Sequence, residues 1–181
     1  MELIDGGTVN SVAFSPSGPW LLATDDTAGT VTVWNWREKE LRTVLRTHPG
    51  RVHKATFSSD GRRVVSASDD GFLRVWDWEE RAEPMLLVGH GGAVHSAAFS
   101  PDGQQLASAG ADGTVRVWDA NGGEILSTLV GNTGIVYGAE FLRDGKRVIA
   151  AGDGGVVRMW ECRGCGPIED VIALARSSIR P

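Results

Sequence analysis

Two sets of residues in this 181-residue chain carry side chains able to do chemistry. Cys162 and Cys165 form a C-x-x-C within AAGDGGVVRMWECRGCG, residues 150–166, a spacing used by zinc sites and by thiol–disulfide centres. His48, Ser66 and Asp70 offer the side-chain types of a hydrolase triad, and His90, Ser108 and Asp112 offer them again. Neither set makes a convincing reaction centre. Zinc held by the cysteines needs about two more ligands, and no second C-x-x-C or nearby histidine supplies them. The triad residues recur at a fixed displacement of 42 positions, whereas an enzyme needs one such site. Two cysteines are also too few for a disulfide framework, which fits a reducing compartment. No metal and no cofactor is expected.

The same displacement runs through the chain and defines the elements that hold these residues. Trp34, Trp76, Trp118 and Trp160 stand 42 residues apart, in GTVTVWN, GFLRVWD, GTVRVWD and GVVRMWE. SVAFSPSG, KATFSSDG, SAAFSPDG and GAEFLRDG superpose with them, and no slip of register is expected between repeats. The hydrophobic period is that of strands. VHSAAFS at 94–100 alternates, QLASAG at 105–110 is a short apolar run, and TVRVWD at 114–119 alternates again. SPDG and GADG between them hold the Pro, Asp and Gly that tight turns require. LRTVLR, PMLLVG and EILSTLVG give a fourth strand after each of the first three repeat tryptophans. The expected fold is all-β, with four antiparallel strands per repeat making one propeller blade.

With GH at Gly89-His90 and WD at Trp76-Asp77 and Trp118-Asp119, the chain resembles the WD40-repeat β-propeller family. The resemblance spans residues 1–175 as four repeats, blades about 6–47, 48–89, 90–131 and 132–175, with a C-terminal tail at 176–181. It implies a structural tetrad in each complete blade. One is His48, Ser66, Asp70 and Trp76, and the other is His90, Ser108, Asp112 and Trp118. In such a tetrad the Asp accepts from its turn and from the imidazole, and the Ser hydroxyl links the imidazole to the indole N–H. The first repeat offers Gly6, Thr24, Ala28 and Trp34 at these places, and the last offers Asn132, Ala150, Gly154 and Trp160. Both outer blades are therefore expected to rest on apolar packing alone, because joint loss of a buried donor and acceptor is tolerable.

Four blades are half of the roughly seven or eight with which the family closes its ring, so the expected form is a partial, open propeller. An open half ring exposes an apolar blade face at each end. Three arrangements answer this: a piece of a longer propeller, a homodimer closing an eight-blade ring, or a ring of strained blades. The first is favoured, because MELI aligns with TVLR at 43–46, the end of a fourth strand. At the other end PIEDVIALARSSIRP falls where a last fourth strand belongs, with Val171, Ile172 and Leu174 apolar, though EDVIALAR equally suits a short helix. This tail resembles the segment after the final repeat of bacterial WD40 proteins, often parts of larger signalling proteins, and fifteen Arg against three Lys suits a GC-rich bacterial genome.

Composition narrows the partners. The net charge of −5, from 18 basic and 23 acidic residues without a run of five like charges, argues against nucleic acid. No window approaches the roughly 18 apolar residues of a membrane helix, and MELIDGG lacks the pattern of an export signal, so no membrane is expected and the location reads as cytoplasmic. No phosphate-binding G-x-x-x-x-G-K-[ST] and no H-E-x-x-H occurs. What remains is binding of a protein or peptide through loops on a rigid frame. The resemblance implies top-face contacts three and five residues after the tetrad His and just before the tetrad Asp. These are Val9, Ser11, Arg51, His53, Ala93, His95, Ile135 and Tyr137, with Thr27, Asp69, Ala111 and Asp153. Arg51, His53, Asp69, His95, Ile135, Tyr137 and Asp153 are the chosen partner-binding set, since Arg and aromatic side chains dominate desolvated contacts. The alternative is a ligand-binding or enzymatic propeller using its central opening, for which only His53 and His95 speak. Trp36 and Trp78 are expected to pack against the outer strand of their blades, and Trp20 to cover a turn.

Overall fold

The computed structural model describes residues 8–25, 29–46, 48–80 and 82–162. MELI, Gly6, Thr27, Ala28, Cys165 and the segment holding Val171, Ile172 and Leu174 lie outside the described residues. The described chain is all strand and turn, in four antiparallel sheets. The first sheet runs in order β1 (Val9–Phe14), β2 (Trp20–Asp25), β3 (Thr30–Asn35), β4 (Glu40–Arg46), and the second β5 (Val52–Phe57), β6 (Arg63–Ser68), β7 (Phe72–Asp77), β8 (Met85–Val88). The third repeats this with β9 (Val94–Phe99), β10 (Gln105–Gly110), β11 (Val115–Asp119), β12 (Ile125–Leu129). The fourth is described as three strands, β13 (Val136–Phe141), β14 (Arg147–Gly152) and β15 (Val157–Glu161).

Sheets stack face to face, and each junction encloses one apolar cluster. Leu22, Val31 and Val33 of the first sheet meet Val52, Val64 and Trp76 of the second. Val65, Leu73 and Val75 meet Val94, Leu106 and Trp118, and then Val115, Val117 and Leu129 meet Val136, Val148 and Cys162. The period-two alternation thus feeds two different interfaces: odd and even positions of one strand face opposite neighbours. Turns close where the sequence places Gly. Gly113 has φ +77°, and a Cβ there would lie 3.0 Å from the Gly134 carbonyl of the next sheet, so both conformation and space require glycine.

Strand pairing overturns the expectation of an unbroken register. Phe14 and Trp34 are 20 residues apart, where Phe57 to Trp76, Phe99 to Trp118 and Phe141 to Trp160 are each 19. The extra residue sits between Thr24, paired with Val31, and that partner, since the matching pair in the second sheet is Ala67 with Leu73. Ala23, opposite Val12 and Thr32, therefore holds the place that Ser66 holds opposite Ala55 and Arg74. Thr24 does not occupy it. All repeat tryptophans lie downstream of the insertion, so their spacing conceals it.

Two side chains staple neighbouring sheets. Trp78, just past β7, does not pack on an outer strand as expected. It is buried in the first junction, edge-on to Trp20 at 5.2 Å and to Phe57 at 6.2 Å, with its indole N–H donating to the Gly61 carbonyl at 2.9 Å. Trp20 also lies over the Gly18 turn. Arg63 reaches from the second sheet to the third, donating to the carbonyls of Ala120 (2.8 Å) and Gly103 (2.5 Å) and to the Asn121 side chain (3.1 Å), and lies over the Phe99 ring. Arg63→Ala is expected to lower unfolding free energy by about 2 kcal/mol, read from urea denaturation, because three charge-assisted donors and a ring contact vanish together.

Candidate functional site

The four residues of each complete tetrad come together as a buried relay. In the third sheet the Trp118 indole donates to Ser108 Oγ at 2.8 Å, Ser108 Oγ lies 2.8 Å from His90 Nε2, and His90 Nδ1 lies 3.0 Å from Asp112. Asp112 also accepts from the Gly91 amide (3.0 Å) and from the Thr114 amide (3.0 Å) and hydroxyl (2.8 Å). The protons are consistent with a neutral ring that donates from Nδ1 and accepts the serine hydroxyl at Nε2. In the second sheet Trp76 donates to Ser66 Oγ at 3.2 Å, which lies 2.7 Å from His48 Nε2, while His48 Nδ1 is 3.1 Å from Asp70.

Arg74 makes the second relay different. Its guanidinium donates to Asp70 at 2.7 Å and stands 2.6 Å from His48 Nδ1, so the neutral ring either donates to the carboxylate or accepts from the cation. Arg116 is its counterpart in the third sheet, 3.6 Å from Asp112, and Arg158 in the fourth, donating to Asn132 at 3.4 Å. These arginines recur 42 residues apart, two positions before each of the last three repeat tryptophans. Their signal was a basic residue repeated at an inward strand position.

Electrostatics agree with a structural role. Burial holds both His48 and His90 below the ordinary imidazole range; the cations Arg74 and Arg116 add to it, against the pull of Asp70 and Asp112. Burial alone would raise Asp112, but the Gly91 amide, the Thr114 donors and His90 outweigh it and hold the carboxyl well below the usual range. Asp70 is lowered in the same way, burial being outweighed by the Phe72 amide, Arg74 and His48. Ser66 and Ser108 are completely buried, so neither hydroxyl meets solvent or substrate.

The outer sheets depart from the expectation of purely apolar support. Trp34 donates to the Thr32 hydroxyl of its own strand at 2.9 Å, and Asn132 is held by Arg158. Cys162 follows β15 directly and is buried in the third junction. It is disulfide-bonded. Among the described residues no group of three or more His, Cys, Asp or Glu is placed to hold a metal ion.

The chosen binding residues of the second sheet lie beside its relay turn, Asp69 being next to Asp70 in the chain and its amide bonded to the Arg51 carbonyl. Each first strand carries a β-bulge near its start, and the residue that the register skips is Asn10, His53, His95 or Tyr137. A bulge turns a side chain away from the sheet's alternation. The first strands are neighbours, so the bulged side chains form a row: His53 and His95 have ring centroids 4.6 Å apart, and His95 and Tyr137 5.5 Å. Asn10 continues the row by donating to the Val52 carbonyl at 3.1 Å. It takes the place expected of Ser11, again because of the inserted residue, and Thr8 likewise takes that of Val9.

Carboxylates flank the row. His53 Nε2 lies 2.6 Å from Asp69, and Tyr137 hydrogen-bonds Asp153, which raises the phenol's pKa. Asp153 also accepts from the Ile135 amide at 3.0 Å. The Asp69 amide donates to the Arg51 carbonyl at 3.0 Å, tying Arg51 to the same loops. Burial and the neighbouring His53 charge hold His95 below the ordinary range, and its Nε2 has no partner. Beneath the row, Lys54 of β5 reaches Glu140 of β13 at 2.8 Å, a bridge across the third sheet that the sequence did not suggest.

The model of the family described as WD domain, G-beta repeat matches residues 4–35, 39–77, 83–119 and 123–161. The chain belongs to the WD40 family. A stretch of 68 residues, 38% of the chain, is 31% identical to the Periodic tryptophan protein 2 homolog of Schizosaccharomyces pombe, of which it covers 7%. WD40 repeats are generally non-enzymatic scaffolds for protein interaction, and the buried serines of this WD40 chain agree with that. No helix of the described residues is long and apolar enough to cross a membrane.

Proposed function

We propose that this chain is an interaction scaffold that docks a protein or peptide on the face formed by Arg51, His53, Asp69, His95, Ile135, Tyr137 and Asp153. The observation that supports it is the row of bulged rings: three adjacent sheets present side chains that pair neither within a strand ladder nor with an apolar core. Rigid strands place them to within a fixed spacing, and the sequence varies there while the relay beneath repeats. A frame built from similar repeats, carrying unlike residues at one position, suits selective recognition. The tetrads take no part in binding and keep the loops in place.

Immobilised wild-type chain and the triple variant Arg51→Ala, His53→Ala, Tyr137→Ala are compared in pull-downs, with circular dichroism and melting as controls. The variant is expected to lose at least one specifically retained protein by tenfold or more with its melting unchanged, since exposed anchors contribute to binding and little to folding. Equal retention by both chains contradicts the proposal.

A further inference from the structure

Matched position by position, the first and fourth sheets each leave one surface on which no other described sheet packs. On the first sheet Val9 and Val12 are 40% and 60% exposed, while the equivalent Val52, Ala55, Val94, Ala97, Val136 and Ala139 are at most 2% exposed. Trp36 is 39% exposed where its equivalent Trp78 is 2% exposed. On the opposite side of the fourth sheet Val157 and Met159 are 68% and 56% exposed, while Leu73, Val75, Val115 and Val117 in the same places are at most 6% exposed. The first surface is of the kind that receives a preceding sheet, and the second of the kind that receives a following one. The chain thus carries both halves of the junction that it forms three times internally.

We propose that these two surfaces join between two copies of the chain, the fourth sheet of each seated on the first sheet of the other. The contact is head-to-tail within each junction, and a twofold axis relating the copies forms it twice, closing a ring of eight sheets with no apolar face left open. Continuity is the argument. The new junction repeats the apolar contact of the internal ones, with Val157 and Met159 against Val12 and Trp36, and one partner covers both surfaces at once, which a single-faced ligand does not.

Light scattering after size exclusion tests this with the full chain. Wild type is expected at the mass of two chains. Val12→Glu and Val157→Glu, both on exposed positions and so compatible with folding, are each expected at the mass of one, because either substitution buries a carboxylate in both junctions. An equimolar mixture of the two variants is expected to recover the two-chain species, since one junction in the mixed pair joins two unaltered surfaces. A wild type at one-chain mass overturns the proposal, leaving the faces to other repeats. So does an open ladder of sizes, or a two-chain species that survives either substitution; circular dichroism of both variants keeps loss of mass distinct from loss of fold.

Discussion

Replacing Asp112 with alanine is expected to lower unfolding free energy by about 3 kcal/mol, the largest effect of any single polar change in the chain. The carboxylate serves His90 Nδ1, the Gly91 amide and both donors of Thr114, so its removal strands several groups that folding took out of water. His90→Ala in the same background is expected to cost less than His90→Ala alone, because the ring has already lost its acceptor; a double-mutant cycle by urea denaturation reads the coupling. The fourth sheet shows a tolerated version, with Asn132 and Gly154 where the third has His90 and Asp112.

The relays also fix the acid response. Both imidazoles have folded pKa values below the unfolded one, so the neutral ring's contribution is complete above about pH 6.5 and is lost as pH falls below it. Asp70 and Asp112 are likewise depressed, and their contribution is complete above the unfolded carboxyl value of about 3.9 and lost below it. Destabilisation on acidification thus begins with the histidines and deepens with the aspartates.

Trp78→Ala is expected to cost about 3–5 kcal/mol, and Trp36→Ala to leave the chain's own stability within about 0.5 kcal/mol. The two tryptophans hold the same repeat position, and only burial separates them: Trp78 fills the first junction against Trp20 and Phe57, while Trp36 meets Phe14 edge-on at an open surface. Thermal and urea unfolding of both variants at low protein concentration measures the contrast. Equal costs contradict the assignment of Trp78 to a junction between sheets.

Most of the frame was legible because a repeat states its fold four times. Strand QLASAG coincides with β10, and the turn residues fall where glycine has positive φ. The inserted residue before Trp34 was not legible from the spacing of the repeat tryptophans, since all four lie beyond it; the distance from Phe14 carries it. The destination of Trp78 was hidden for another reason. Alternation says which strand face a residue occupies, and in stacked sheets both faces are buried, so Trp20, 58 positions away, is invisible to a local pattern. The bulges were equally silent, although the residues they project, His53, His95 and Tyr137, were chosen from the resemblance.

The central claim is that the residues best equipped for chemistry serve the frame, with recognition proposed for the row beside them. Long-range nitrogen–proton NMR of the imidazoles across pH tests it directly. The account predicts that His48 and His90 stay neutral as pH falls through the ordinary imidazole range, His90 with its proton on Nδ1, until the fold itself is lost. Free titration of both rings at the ordinary value in the folded chain would contradict it.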